Sequence, residues 1–365
     1  MSESKNTFKI ALVGDCLAGG GAEKLHATLS IFFDNIGLYV HNIIFLDEIS
    51  YSYSGKLLNL GLLKSNTIYD KLKRIYVLRT FFKQHEFDCI IDFRYRVNFI
   101  NEFLISRYAY NSRAIYTVHS GITSFYIPKN KHLARLIYSG HEFVAVSIGI
   151  EKVIKEQYNI PVTTIHNPIE IAKIKVLSTA LVPDESNYIL AVGRMNDKVK
   201  QFDKLIEAYH QSSLSQKNIK LIIIGSGQYL EELKYLVNQK QLTNDVIFKG
   251  YQQNPHAYQK KGLFTVVSSS NEGFPNVIIE SMLVGTPVVS FDCFSGPNEI
   301  IIDGFNGLLV ENQNIVKLTQ AMNKMVNDIE LYEYCKSNAA KSVDRFSSYT
   351  IGSQWMDFLK IKKHE

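Results

Sequence analysis

Residues 187–214, NYILAVGRMNDKVKQFDKLIEAYHQSSL, change their hydrophobic period in the middle. Tyr188 to Val192 form an unbroken apolar run, which predicts a strand buried on both faces. Beyond a polar loop, Phe202, Leu205, Ile206 and Tyr209 recur at helical spacing and predict an amphipathic helix. A doubly covered strand followed by such a helix is the repeating unit of a parallel sheet packed between helices.

The same alternation extends in both directions. Toward the C-terminus, strands are expected at 219–227 (IKLIIIGSG), 245–251 (DVIFKGY), 262–269 (GLFTVVSS), 286–292 (TPVVSFD) and 307–311 (GLLVE). Toward the N-terminus they are expected at 8–14 (FKIALVG), 40–46 (VHNIIFL), 87–93 (FDCIIDF), 114–120 (AIYTVHS), 143–147 (FVAVS) and 163–167 (TTIHN). Two successive β/α series predict two doubly wound, Rossmann-like domains, a repeat of pattern without a repeat of sequence. The boundary falls between His166-Asn167-Pro168 and Val182-Pro183-Asp184, where prolines and polar residues punctuate the chain. The domains are placed at 1–170 and 171–345. A terminal helix at 346–365 carries Ile351, Trp355, Phe358 and Leu359 on one stripe, with Lys360, Lys362 and Lys363 at its C-terminal end, where the helix dipole favours cations.

The 365 residues are 46% hydrophobic and 21% charged, the composition of a globular protein, and the formal charge is +5. That mild basicity suits an anionic small ligand or a membrane surface. Cys16, Cys89, Cys293 and Cys335 share no metal-ligand spacing and read as buried thiols of a reducing compartment. The N-terminus lacks the basic and apolar regions of a secretory leader, and no apolar run reaches the ~18 residues of a spanning helix. The expectation is a cytoplasmic protein. No Asp-x-Asp, HExxH or GxSxG occurs, and the aromatics do not interleave with Lys and Arg as in an RNA-binding sheet, so metal, serine-hydrolase and nucleic-acid chemistries are set aside.

Four constellations remain. Gly14 to Lys24, GDCLAGGGAEK, follow the first strand. The P-loop and dinucleotide fingerprints both fail there, but three successive glycines at a helix start suit close approach of a phosphate or sugar better than they suit a mere chain reversal. Arg194 and Lys200 flank the loop after Val192; a guanidinium fork and a mobile ammonium can together neutralise a diphosphate. Two solvated surface cations would look the same, but the C-terminal end of a strand is where open α/β sheets bind ligands. In NEGFPNVIIES, residues 271–281, Glu272 lies in a strand-to-helix loop and Glu280 about one turn into the helix, which Gly285 closes. Complementing the helix dipole would account for Glu280 but less well for Glu272. Finally, His119 ends the strand AIYTVHS, and DFRYRVNF brings Arg94 and Arg96 to the same end of the sheet. Basic residues outnumber acidic ones between Lys64 and Arg135, which fits a solvated face or a site for an anionic acceptor or membrane headgroups.

With these residues in view, the sequence resembles the family 4 glycosyltransferases, retaining enzymes of the GT-B fold. The resemblance rests on EGFPNVIIE (Glu-x7-Glu), RMNDKVK (Arg-x5-Lys), GGGAEK and TVHSG, with VSIGIEKVIKEQYNI and HNPIE as the inter-domain region. It covers nearly the whole chain and is strongest from Val192 to Glu311. It implies two Rossmann-like domains facing a central cleft, with the terminal helix crossing back to the N-terminal domain. It also implies roles. Arg194 and Lys200 would hold the diphosphate of a nucleotide sugar. Glu280 would bind the ribose, and Glu272 with Gly273, Phe274, Pro275 and Asn276 the donor sugar. His119 would touch that sugar, and Gly20 and Gly21 would approach the donor. Gly225, Gly227 and Tyr251 would line the nucleotide pocket, while Arg94 and Arg96 would face the acceptor. Lys200 is followed by Gln201 where many relatives carry glycine. The implied activity is metal-independent, cofactor-free transfer of a hexosyl or N-acetylhexosaminyl group from a nucleotide-diphosphate sugar, most readily a UDP-sugar. The implied acceptor is a bacterial surface glycan or glycolipid (lipopolysaccharide, O-antigen or capsule precursor), reached from the cytoplasmic face of the inner membrane. A sugar-nucleotide epimerase of related fold and a non-catalytic donor-binding subunit are the rival readings. Retention of Glu-x7-Glu weighs against the first, and a complete charged set against the second.

Overall fold

The structure, a computed structural model, describes residues 8–64, 69–182 and 187–361. Pro183, Asp184, Lys362 and Lys363, named above for the linker and the tail, lie outside the described residues. The chain divides into two compact units, Met1–Pro168 with Ser348–Glu365 and Ile169–Ser347.

The first unit is a seven-stranded parallel sheet. Its strands are β1 (Lys9–Gly14), β2 (Tyr39–Ile44), β3 (Lys56–Asn59), β4 (Cys89–Asp92), β5 (Ala114–Val118), β6 (Glu142–Ala145) and β7 (Val162–Thr164), ordered β3-β2-β1-β4-β5-β6-β7. Ile10 to Val13, Ile90, Ile91, Ile115, Tyr116 and Val144 are all but inaccessible, as the continuous apolar runs require. Strand β3 has no counterpart in the sequence reading. KLLN is a four-residue edge strand, exposed or half-buried throughout, and too short for an apolar run to announce it. Helix α1 (Gly21–Asn35) follows β1, α2 (Tyr69–Gln84) precedes β4, and α3 (Phe99–Leu104) follows it. The terminal helix, Ser348–Leu359, packs on α1, with Ile351, Trp355 and Leu359 buried. Gly352 permits the approach, because a Cβ there would overlap the Phe32 ring.

The second unit is a six-stranded parallel sheet of β8 (Tyr188–Val192), β9 (Lys220–Ile224), β10 (Val246–Gly250), β11 (Thr265–Val267), β12 (Val288–Asp292) and β13 (Gly307–Glu311). Its order is β10-β9-β8-β11-β12-β13. The chain leaves β8 toward β9 on one side and returns to β11 on the other, so the loops after β8 and β11 part at a topological switch point, where open sheets bind ligands. The corresponding point in the first unit lies between β1 and β4. The helix Phe202–His210 buries Phe202, Leu205, Ile206 and Tyr209, the stripe its spacing predicts.

Candidate functional site

At the switch point of the second unit, three loops from different strands are stitched together. Ser270 N donates to Val199 O (2.8 Å) and Ser268 Oγ to Lys200 O (2.8 Å), tying the loop after β11 to the loop after β8. Met195 N donates to Ser226 O (2.9 Å), bringing in the loop after β9. That approach depends on glycine. Gly225 and Gly227 have φ of +146° and +152°, and a Cβ on either would overlap the backbone at Gly193 or at Met195–Asn196.

The charged groups fall where these loops meet. Lys200 Nζ donates to Glu272 Oε1 at 2.6 Å, and the two side chains are 21% and 11% exposed. Arg194, on the same loop as Lys200, is exposed and has no ion pair or side-chain hydrogen bond among the described residues. Lys198 pairs with Glu232 on the surface and takes no part. Gln201 adopts the left-handed conformation (φ +47°) that glycine prefers. Its side chain is held by a reciprocal amide pair with Gln313 (2.9 and 2.7 Å).

The other residues assigned to the donor occupy the same strand ends. Gly273 and Phe274 lead into the helix Asn276–Leu283, with Pro275 at its N-cap. Phe274 turns its ring inward against Phe346 (5.3 Å), so its backbone is the part left for a ligand. Glu280 is half-buried one turn along the helix. Gly250 closes β10, and Tyr251 beyond it is 74% exposed. A fourth loop, after β12, was not anticipated. Ser295 Oγ donates to Gly273 O (3.0 Å), and Gly296 (φ +94°) lies where a Cβ would overlap Pro275. The Ser-Gly-Pro that follows the apolar run at 288–291 was its signal in the sequence.

In the first unit, Gly20 is the N-cap of α1 and Gly21 its first residue. Gly20 is overhung by Glu23, the third residue of that helix, whose carboxylate takes the space of a Cβ, as in a capping box. Asp15, not singled out from the sequence, accepts Tyr95 N (2.9 Å) across the switch point between β1 and β4, and burial raises its pKa. His119 Nε2 lies 2.7 Å from Thr117 Oγ1, while its Nδ1 is buried with no hydrogen-bond partner among the described residues. Burial, with Arg96 nearby, lowers its pKa to about 3, so the ring is neutral.

Arg94 and Arg96 require a correction. Neither stands open to an acceptor: they are 4% and 0% exposed. Arg94 donates to both carboxylate oxygens of Asp92 and of Glu102 (2.6 to 3.2 Å). Arg96 donates to the carbonyls of Asp92, Arg94, Thr117 and Tyr126, and its guanidinium lies 5.1 and 5.2 Å from the ring centres of Tyr116 and Tyr126. These cations neutralise a buried acid cluster.

Residues 177–342 match the family model of glycosyl transferases group 1. A Campylobacter jejuni protein named N-acetylgalactosamine-N,N'-diacetylbacillosaminyl-diphospho-undecaprenol 4-alpha-N-acetylgalactosaminyltransferase is 32% identical over 195 residues, 53% of this chain and 52% of that protein. The chain thus spans about half the length of that relative. A second C. jejuni protein, GalNAc-alpha-(1->4)-GalNAc-alpha-(1->3)-diNAcBac-PP-undecaprenol alpha-1,4-N-acetyl-D-galactosaminyltransferase, is 25% identical over 98% of this chain and 99% of its own. The crystal structure of Anabaena Alr3699/HepE in complex with UDP superposes with a TM-score of 0.77 at 19% identity, covering 97% of this chain and 100% of that one. The fold is GT-B, built from two Rossmann-like units, and the match to glycosyl transferases group 1 lies within the second unit, at residues 177–342.

Proposed function

We propose that the protein is a retaining glycosyltransferase that moves a hexosyl or N-acetylhexosaminyl group from a nucleotide-diphosphate sugar, a UDP-sugar, to a precursor of a bacterial surface glycan such as lipopolysaccharide, O-antigen or capsule. It would do so in the cytoplasm, at the face of the inner membrane. The observation that carries this reading is the Lys200–Glu272 pair, with the exposed Arg194 on the same loop, at the switch point of the second unit. The match of residues 177–342 to glycosyl transferases group 1 supports the reaction class. The names of the two Campylobacter relatives, both built on diphospho-undecaprenol glycans, support the acceptor class. The UDP in the HepE structure supports the donor.

The chemistry follows from charge. Breaking the C1–O bond leaves negative charge on the departing diphosphate and oxocarbenium character on the sugar. Arg194 and Lys200 stabilise the diphosphate, as oxyanion-hole donors stabilise a developing alkoxide. Arg194 pays no cost of breaking an existing ion pair, whereas Lys200 turns from Glu272 toward phosphate and releases that carboxylate to the sugar hydroxyls. The acceptor oxygen forms its bond to C1 on the face the diphosphate leaves, and its proton passes to a phosphate oxygen. His119, neutral, serves as a hydrogen-bonding partner of the sugar and not as an acid. Thermal shift and slow donor hydrolysis across UDP-, GDP- and ADP-sugars test the proposal. UDP-sugars should raise the melting temperature and be hydrolysed; no shift with any nucleotide sugar overturns it.

A further inference from the structure

Gln201 and Gln313, 112 residues apart, both have left-handed backbone, with φ of +47° and +65°. That region is costly for an L-residue, and the non-glycine residues that favour it have short polar side chains able to bond to nearby backbone, an advantage glutamine lacks. Position adds to the oddity. Asn159, also left-handed, closes the helix Ile148–Tyr158, where the conformation is customary. Gln201 opens the helix Phe202–His210, and the residue before a helix is ordinarily extended. A strained residue persists only where its surroundings hold it, and such strain gathers at functional sites.

Gln313 supplies the hold. Gln201 Nε2 donates to Gln313 Oε1 at 2.9 Å, and Gln313 Nε2 to Gln201 Oε1 at 2.7 Å. The direction of the Gln313 amide is fixed independently. Lys204 Nζ, which can only donate, bonds to Gln313 Oε1, and Gln313 Nε2 donates in turn to Asn312 Oδ1 (3.0 Å). Gln313 lies in the turn between β13 and the helix Ile315–Asn327, which packs on the helix Phe202–His210. The clasp thus ties the start of one helix to the start of its neighbour.

Lys200 is the residue immediately before the left-handed bend. Its carbonyl accepts Ser268 Oγ, and its stem runs past Gly193, where a Cβ would come within 3.1 Å of Lys200 Cγ. Hemmed in on those two sides, the side chain takes its direction from the backbone at residue 201, and that direction brings Nζ to Glu272. We propose that Gln313 is a positioning residue for transfer: it clasps Gln201 in the left-handed conformation and thereby aims Lys200 at the Glu272 carboxylate and the diphosphate position. The inference rests on the transfer reading above for the role of Lys200, and the test separates the two.

Hydrolysis of UDP-N-acetylglucosamine or UDP-glucose, whichever the wild type cleaves faster, is the first readout. Gln313→Met keeps the side-chain length and loses the clasp, and kcat should fall roughly 10–10²-fold, as when a reacting group is misplaced by about an ångström. Glycine enters the left-handed region without a clasp, so the double variant Gln201→Gly/Gln313→Met should recover most of that loss. A side chain that merely braced the turn after β13 would show no such rescue. Should Gln313→Met fail to fold, Gln201→Met removes the same clasp from its other end and should lose as much. Turnover like the wild type's in these variants, or a double variant as slow as Gln313→Met, overturns the proposal. A crystal structure of Gln313→Met, or of Gln201→Met in its place, is the second readout. Residue 201 should leave the left-handed region and Lys200 should leave Glu272; an unmoved pair overturns the proposal. A wild type that neither shifts with nor hydrolyses a nucleotide sugar sinks the transfer reading, and the crystal structure then decides the positioning by itself.

Discussion

Lys200 and Glu272, 72 residues apart in the chain, meet at 2.6 Å because β8 and β11 are neighbours whose following loops part at the switch point. Both side chains are mostly shielded, so the contact is stronger than a surface ion pair, yet each retains access to solvent and to a ligand. In the proposed mechanism this carboxylate would hold the cation near the phosphate position and give it up when phosphate arrives.

Lys200→Ala removes the cation proposed for the leaving group and should lower turnover by roughly 10²–10³-fold, the loss seen when one oxyanion donor is deleted. Thermal unfolding should move to a lower temperature as well, since Glu272, only 11% exposed, loses its partner. Donor hydrolysis and transfer rates measured on folded variant check this, and near-normal turnover would refute the role.

Gly225→Ala should be far more damaging than Gly250→Ala, although both glycines have positive φ. A Cβ at Gly225 overlaps the Gly193 carbonyl oxygen and forces apart the loops after β8 and β9, whereas at Gly250 nothing lies within 4 Å. Backbone strain alone costs about 1–3 kcal/mol. Gly225→Ala should exceed that range and also abolish the UDP-induced shift, while Gly250→Ala stays within it. Urea unfolding with and without UDP separates the two.

The central strands were legible because a parallel sheet covered on both faces writes its strands as apolar runs. The edge strand β3 was not, since KLLN is four residues long and exposed or half-buried on both faces. The apposition of Lys200 with Glu272 could not come from spacing; it entered through the resemblance in Arg-x5-Lys and Glu-x7-Glu. Arg94 and Arg96 misled for a related reason. Counting cations along a segment registers Asp92, two residues away, but not that Glu102 folds onto Arg94, or that the Tyr116 and Tyr126 rings and four carbonyls enclose Arg96. Arg74 sits in the same basic segment, and its buried Nε has no acceptor among the described residues, a difference visible only once α2 is placed against Phe45.

Stability should rise with pH between about 4.5 and 6.5. Burial lowers the pKa of His26 and His41 to about 4 and of His119 to about 3, and lowers that of His141. His26, His41 and His119 are neutral when folded and protonated when unfolded in this window, so the unfolded chain binds more protons and acid destabilises; His141 adds in the same sense. Glu102 works in the opposite sense. Burial pushes it up to about 7, so the folded state holds its proton and loses that advantage as pH rises from about 4.5 to 7; Asp15, also raised by burial, adds in that sense. Four histidines outweigh two carboxyls. Glu102→Gln removes one opposing group and should steepen the rise, as read from urea midpoints across the window; a flatter profile would contradict the assignment.

Trp355 is fully buried in the terminal helix that packs on α1, and its Nε1 has no hydrogen-bond partner among the described residues. Trp355→Ala loses the largest fully buried side chain of the protein and leaves a cavity, which should cost about 3–5 kcal/mol. Trp355→Phe keeps most of the apolar contact and removes a buried donor that bonds to nothing, so part of the lost area is offset by the desolvation no longer incurred. The phenylalanine variant should therefore unfold much closer to the wild type than to the alanine variant. Urea unfolding of all three checks the order. If Phe and Ala prove equally destabilising, the indole nitrogen is satisfied in solution, by an ordered water, and contributes to holding the terminal helix on the first unit.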